Sequence, residues 1–83
     1  MTTHEYGKWS PADRDAARRW PEQRAEAIRR VTTGRTPSQV AAAIDDLMAG
    51  AVLDADELVH HGMYPTAERL IKLAAAAYRE VTS

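Results

Sequence analysis

The sequence predicts an all-α fold, a compact bundle of four to five short helices with a long C-terminal helix. First, the stretch from Tyr64 to Val81 repeats apolar residues at steps of three and four, the period of an amphipathic helix. Second, Ser10 and Thr36 are each followed by proline and then by a side chain suited to a helix start. Third, no stretch longer than four residues alternates apolar and polar side chains, so we expect no strands.

The composition indicates one small domain with few large apolar side chains. The chain has 83 residues, of which Leu, Ile and Val total 13 and Ala totals 16, and it has no Phe. A core of this size is only marginally sufficient, and each alanine contributes little burial. We therefore expect a folded domain that gains stability by pairing with itself or with a partner.

Charge is distributed unevenly along the chain. Residues 1–36 carry a net charge of +3 and residues 37–83 carry −4, which together give the net charge of −1. The basic and acidic parts can meet within the fold, between two copies, or separately on different partners.

The first predicted helix follows a short polar arm, residues 1–9, and opens the single helical domain, residues 10–83. Trp9 is the residue through which an ordered arm would dock. Ser10 is a typical N-cap, and Pro11 suits the first helical position because its missing N–H costs nothing there. We expect this helix to run to about Arg19.

A second helix is predicted from Pro21 to near Thr33. Pro21 disfavours helical angles at Trp20, so a boundary or corner is expected there. Gly34 is the expected C-terminal stop, because glycine accepts the left-handed conformation that often ends a helix. The inner stripe is narrow and comprises Ala25, Ile28 and Val31 or Thr32.

A third helix is predicted from the Thr36 cap to Gly50, with a strong apolar stripe. A short fourth helix would then run from residue 54 to residue 61, where Gly62 closes it. The alternative is one continuous helix through Gly50, since an interior glycine costs only about 1 kcal/mol.

The last helix, Tyr64 to Val81, is the one onto which the earlier segments are expected to pack. Pro65 fits its first turn. Its apolar stripe comprises Ala67, Leu70, Ile71, Ala74, Ala77, Tyr78 and Val81. The core as a whole is expected around Leu47, Leu58, Leu70 and Tyr78.

The residue types argue against catalysis and against cofactor, metal and small-molecule binding. There is no cysteine, the three serines look like helix starts or the terminus, and the four glycines stand far apart. Glu57-x-x-His60 matches half of a dimetal motif that needs two such pairs and two further carboxylates. No apolar run approaches the roughly 20 residues that span a membrane. We expect a cytoplasmic, non-enzymatic protein.

Protein–protein binding is the function that these features favour. We predict a helical interaction module, an adaptor or regulator, that is homodimeric or binds a protein partner. The candidate contacts are Trp9 and Trp20, because tryptophan is enriched at interfaces, together with Met63 and Tyr64 in the last predicted turn. Trp9 and Trp20 can equally serve as core anchors.

The alternative hypothesis is a small DNA-binding transcriptional regulator. Residues 54–73 have the outline of a helix-turn-helix, whose second helix would present Thr66, Arg69 and Lys72 to nucleic acid. Glu68 lies beside Arg69 in the acidic half of the chain, which weakens the charge available to neutralise phosphates. A contact of Arg69 within the fold would count against this hypothesis.

Overall fold

The computed structural model describes residues 9–83, which form four α-helices and no strand. The helices are α1 (Pro11–Ala17), α2 (Trp20–Arg29), α3 (Pro37–His60) and α4 (Tyr64–Thr82). α4 packs against both α2 and α3, which contact each other much less, so α4 is the central helix. The all-α class is confirmed. The predicted arm, residues 1–9, lies outside the described residues except for Trp9.

Two helices begin with the capping boxes that their sequences suggest. Ser10 Oγ accepts a hydrogen bond from Asp13 N at 3.1 Å, and Asp13 Oδ2 accepts one from Ser10 N at 3.0 Å. At the start of α3, Thr36 Oγ1 accepts from Gln39 N at 3.3 Å, and Gln39 Oε1 accepts from Thr36 N at 2.9 Å. Each box satisfies N–H groups that have no partner within the helix.

The N-terminal helices are shorter than predicted. α1 ends at Ala17, and the chain bends at the next two residues before α2 begins at Trp20. α2 ends at Arg29 instead of near Thr33, and hydrogen-bonded turns continue from there to Gly34. Gly34 adopts φ +70°, so the left-handed stop lies where it was predicted although the regular helix ends earlier.

The predicted break at Gly50 is wrong, because α3 is one helix of 24 residues. The alternative prediction, one continuous helix through Gly50, is correct. Gly50 leaves room for the Arg24 guanidinium of α2, and a Cβ at Gly50 would lie 2.8 Å from Arg24 Nη1. Asp54 does not cap a new helix: its Oδ2 accepts a hydrogen bond from Arg24 Nη2 at 2.7 Å. Packing between helices therefore explains both residues.

The turn from α3 to α4 is a Schellman motif. Gly62 adopts φ +77° and donates to the Val59 carbonyl at 2.9 Å, while Met63 N donates to the Leu58 carbonyl at 2.8 Å. This motif commonly brings the apolar side chains at its two ends together. Leu58 and Met63 both belong to the buried core cluster, so the turn reverses the chain and contributes to the core.

Small residues make up half of the core. The fully or nearly fully buried apolar residues are Ala17, Ala25, Ile28, Val31, Ile44, Ala51, Leu58, Met63, Ala67, Leu70, Ala74 and Ala77. Leu58 and Leu70 are buried as predicted, whereas Leu47 is partly exposed. The prediction for Tyr78 is wrong, because 40% of its surface is exposed.

The basic and acidic parts of the chain meet within the fold. Arg24 of α2 pairs with Asp54 of α3, and Arg29 Nε lies 3.2 Å from Glu80 Oε1 of α4. In a third ion pair the acid belongs to α2 and the base to α4: Glu22 pairs with Arg69. α2 is therefore connected to both later helices by ion pairs.

Candidate protein interface

Trp9 and Trp20 come together on the fold, next to a residue that the sequence analysis did not select. Their ring centroids are 5.6 Å apart in an edge-to-face arrangement, and Trp9 stacks on His61 at 3.6 Å. Arg14 Nη1 donates to the His61 carbonyl at 3.1 Å. Both tryptophans are partly buried against the core, so this cluster joins the N-terminal segment to the end of α3.

His61 is the buried member of the His60-His61 pair. Its side chain is 3% exposed, and Nε2 lies 3.2 Å from Glu57 Oε2. Glu57 therefore contacts His61, which lies one helical turn later. Among the described residues, no group of three or more metal-binding side chains comes together.

Met63 and Tyr64 have opposite environments. Met63 is buried by the Schellman turn and is not accessible to a partner, whereas Tyr64 is 63% exposed at the start of α4. Of the four residues predicted to bind protein, Tyr64 is thus the most accessible. It belongs to a larger exposed surface.

Exposed large apolar side chains are concentrated on one surface between α3 and α4. Among residues 9–83 six such side chains are exposed, and the five that line this surface are Val52 (60%), Val59 (43%), Tyr64 (63%), Ile71 (42%) and Tyr78 (40%). We call these five residues and the grooves between them the α3–α4 face. The sixth, Leu53, is 69% exposed and lies about 100° around α3 from Val52, away from the face.

Two shallow grooves make up the α3–α4 face. One has a volume of about 400 Å³ and is lined by Val52, Ala55, Asp56, Val59, Tyr64, Ala67, Glu68 and Ile71. The other has a volume of about 350 Å³ and is lined by Pro37, Val40, Ala41, Ile44, Asp45, Tyr78, Val81 and Thr82. Both lie between the two antiparallel helices of the hairpin, so together they follow its length.

A sequence signal for this face exists. Tyr64, Ile71 and Tyr78 are seven residues apart, as are Val52 and Val59, and this spacing keeps side chains on one side of a helix. The sequence analysis assigned Ile71 and Tyr78 to the inner stripe of α4. The apolar stripe of α4 is wider than the sector of the helix that α2 and α3 cover, so the outer edge of the stripe remains exposed.

Charged residues border the face differently on its two helices. Asp45 and Asp56 of α3 lie in the grooves, as does Glu68 of α4. Lys72 and Arg79 each follow a face residue of α4 directly, and so lie about 100° further round the helix. The outer edge of the face therefore carries two acids along α3, whereas along α4 it carries the two basic residues Lys72 and Arg79 and one acid, Glu68.

Of the residues predicted to bind nucleic acid, Arg69 has a partner on another helix, whereas Lys72 is largely exposed. Arg69 forms its ion pair with Glu22 of α2, and Lys72 Nζ lies 3.6 Å from Glu68 Oε2. Thr66 is partly buried. The contact of Arg69 between two helices is the observation that the sequence analysis set against the DNA-binding hypothesis.

Comparisons with protein families, curated proteins and solved structures return no match for this chain. Within residues 9–83, no helix is long and apolar enough to cross a membrane.

Proposed function

We propose that this protein is a small, non-catalytic helical interaction module that associates with protein helices through the α3–α4 face. One observation carries the proposal: five of the six large exposed apolar side chains of the described residues lie on this one surface. Single exposed apolar residues are ordinary on a protein surface, but a contiguous group of them marks an interaction site.

The composition strengthens this argument. Only 13 of the 83 residues are Leu, Ile or Val, and the core is completed largely with alanine. Val52, Val59 and Ile71 are nevertheless exposed side by side with two tyrosines, although the fold is short of large apolar residues. A partner that covers the face would add the burial that the isolated domain lacks.

The energy available from the face supports reversible association. Full burial of a large apolar side chain is worth about 1.5–3 kcal/mol. Each face residue is roughly half exposed, so covering it contributes about 1 kcal/mol, or about 5 kcal/mol for the five residues. Most of this is offset by the lost freedom of the partners, which costs at least about 4 kcal/mol, so we expect a weak and reversible contact.

The test uses two adjacent residues of α3 as a matched pair. Val52→Lys places a charge on the face, whereas Leu53→Lys places the same charge at an equally exposed position off the face. Ile71→Lys repeats the first change from α4. Solution mass and capture of proteins from an extract of the source organism are measured for each variant, after circular dichroism confirms the helical content.

We expect V52K and I71K to lose the association that wild type and L53K retain. The proposal is wrong if V52K and I71K match L53K in both mass and captured proteins. The DNA-binding hypothesis has no comparable support, since Arg69 is paired with Glu22, and we do not put it forward as a second function.

A further inference from the structure

We infer that the partner on the α3–α4 face is a second copy of this chain, related by a two-fold axis parallel to α3 and α4. The inference rests on the proposed function and specifies its partner. In this arrangement α3 of each copy lies against α4 of the other, and the two hairpins form two layers packed face to face.

Several charged side chains along the edges of the α3–α4 face form no ion pair within residues 9–83 of one copy. Among the described residues, Asp45, Asp56 and Arg79 take part in no ion pair. Lys72 has only a loose contact with Glu68, and both side chains are largely exposed. The α3 edge thus has a net charge of −2 from Asp45 and Asp56, and the α4 edge has a net charge of +1 from Glu68, Lys72 and Arg79.

Symmetry brings these edges together. A two-fold axis parallel to the helices places the negatively charged α3 edge of one copy against the α4 edge of the other, which has a net positive charge, on both sides of the dimer. A perpendicular axis in the same plane would place α3 on α3 and oppose Asp45 and Asp56 to the same acids of the second copy, which costs energy. Charge therefore selects the parallel axis.

The levels of the charges along the hairpin also agree. Asp45 lines the same groove as Tyr78, the residue before Arg79, so Asp45 and Arg79 lie at one level. Asp56 lines the same groove as Glu68 and as Ile71, the residue before Lys72. Because rotation about a parallel axis preserves the level, Asp45 faces Arg79 of the second copy, and Asp56 faces the Glu68–Lys72 pair of the second copy.

The area is sufficient for a dimer of modest affinity. The 19 residues of α4 span about 28 Å, and two helices side by side are about 20 Å wide, which gives roughly 550 Å² per copy. The total of about 1,100 Å² just exceeds the roughly 1,000 Å² expected of a specific interface. The seven-residue spacings of the face residues suit the packing of α4 on α3 of the second copy.

A charge exchange tests this arrangement. Asp45→Arg and Arg79→Asp are each analysed alone and as an equimolar mixture by sedimentation over a range of concentrations. Each single variant opposes like charges twice in its own dimer, so we expect its association to weaken on the order of tenfold or more. In the mixed dimer both contacts are again between opposite charges, so we expect the mixture to associate as wild type does.

Asp46→Arg is the matched control, because Asp46 is an exposed neighbour of Asp45 that points away from the face. We expect it to associate as wild type does. A mixture as weak as the single variants overturns the inferred axis. If wild type stays monomeric up to millimolar concentration, the partner is not a second copy. The proposed function is then tested separately: it stands if wild type and L53K, but not V52K, capture a protein from the extract.

Discussion

Gly50 offers a quantitative test of how α2 and α3 are packed. Replacing a glycine inside a helix by alanine ordinarily stabilises the helix by about 1 kcal/mol. At Gly50 the new methyl group would lie 2.8 Å from Arg24 Nη1, so the guanidinium has to move. This motion disrupts its 2.7 Å contact with Asp54 and its 3.4 Å contact with the Leu47 carbonyl. The two effects oppose each other.

The size of the loss follows from the burial of the pair. The side chains of Arg24 and Asp54 are 21% and 31% exposed, so the pair lies between a surface pair, worth at most about 1 kcal/mol, and a buried charged hydrogen bond, worth about 1.5–3 kcal/mol. We therefore expect the disruption of the Arg24–Asp54 contact to cost about 1–1.5 kcal/mol. Gly50→Ala is therefore expected to change the free energy of unfolding by no more than about 0.5 kcal/mol.

A double-mutant cycle isolates the contact. With Arg24→Ala already present nothing opposes the methyl group, so Gly50→Ala is expected to stabilise by about 1 kcal/mol. The coupling between the two sites is thus about 1–1.5 kcal/mol. Urea unfolding, followed by circular dichroism at one protein concentration, measures it. Equal stabilisation in both backgrounds would show that Arg24 does not lie over Gly50.

Two further predictions concern residues that the sequence analysis selected. Trp9→Ala removes the ring stacked on His61. Because Trp9 is only partly buried, we expect the free energy of unfolding to fall by about 2 kcal/mol, less than the roughly 3–5 kcal/mol of a Trp→Ala change in a core. A decrease of less than about 0.5 kcal/mol in urea unfolding would contradict the anchor role of Trp9. Arg69→Ala removes an exposed pair with Glu22 and should cost less than about 1 kcal/mol. We also expect no binding of the wild-type protein to random duplex DNA, measured by fluorescence anisotropy at low salt. Binding that falls steeply with salt and is lost in R69A would instead support the DNA-binding hypothesis.

The scarcity of large apolar residues links the fold to the proposed function. Alanines let α2 and α4 pack closely, and three of the four buried residues of α4 are alanines. Such a core contributes little burial per residue, so we expect the isolated domain to have a low free energy of unfolding. A partner on the α3–α4 face would therefore stabilise the fold as it binds.

The candidate site was only partly predictable. Tyr64 was selected and lies on the face, but Ile71 and Tyr78 were assigned to the core because their spacing matches its stripe. Periodicity gives the angular position of a residue on its helix, but it does not say how wide a sector the neighbouring helices cover. Met63 was selected as a contact and is buried, because the left-handed turn at Gly62 folds it back toward Leu58.

The sequence by itself determined the starts of α1, α3 and α4, the turns at Gly34 and Gly62, and the all-α class. These features depend on hydrogen bonds and backbone angles within a few residues, such as the box between Thr36 and Gln39. Only the tertiary structure decided that α3 continues through Gly50, where the guanidinium of another helix occupies the space. It likewise decided which edge of α4 stays exposed, because that depends on where two other helices pack against it.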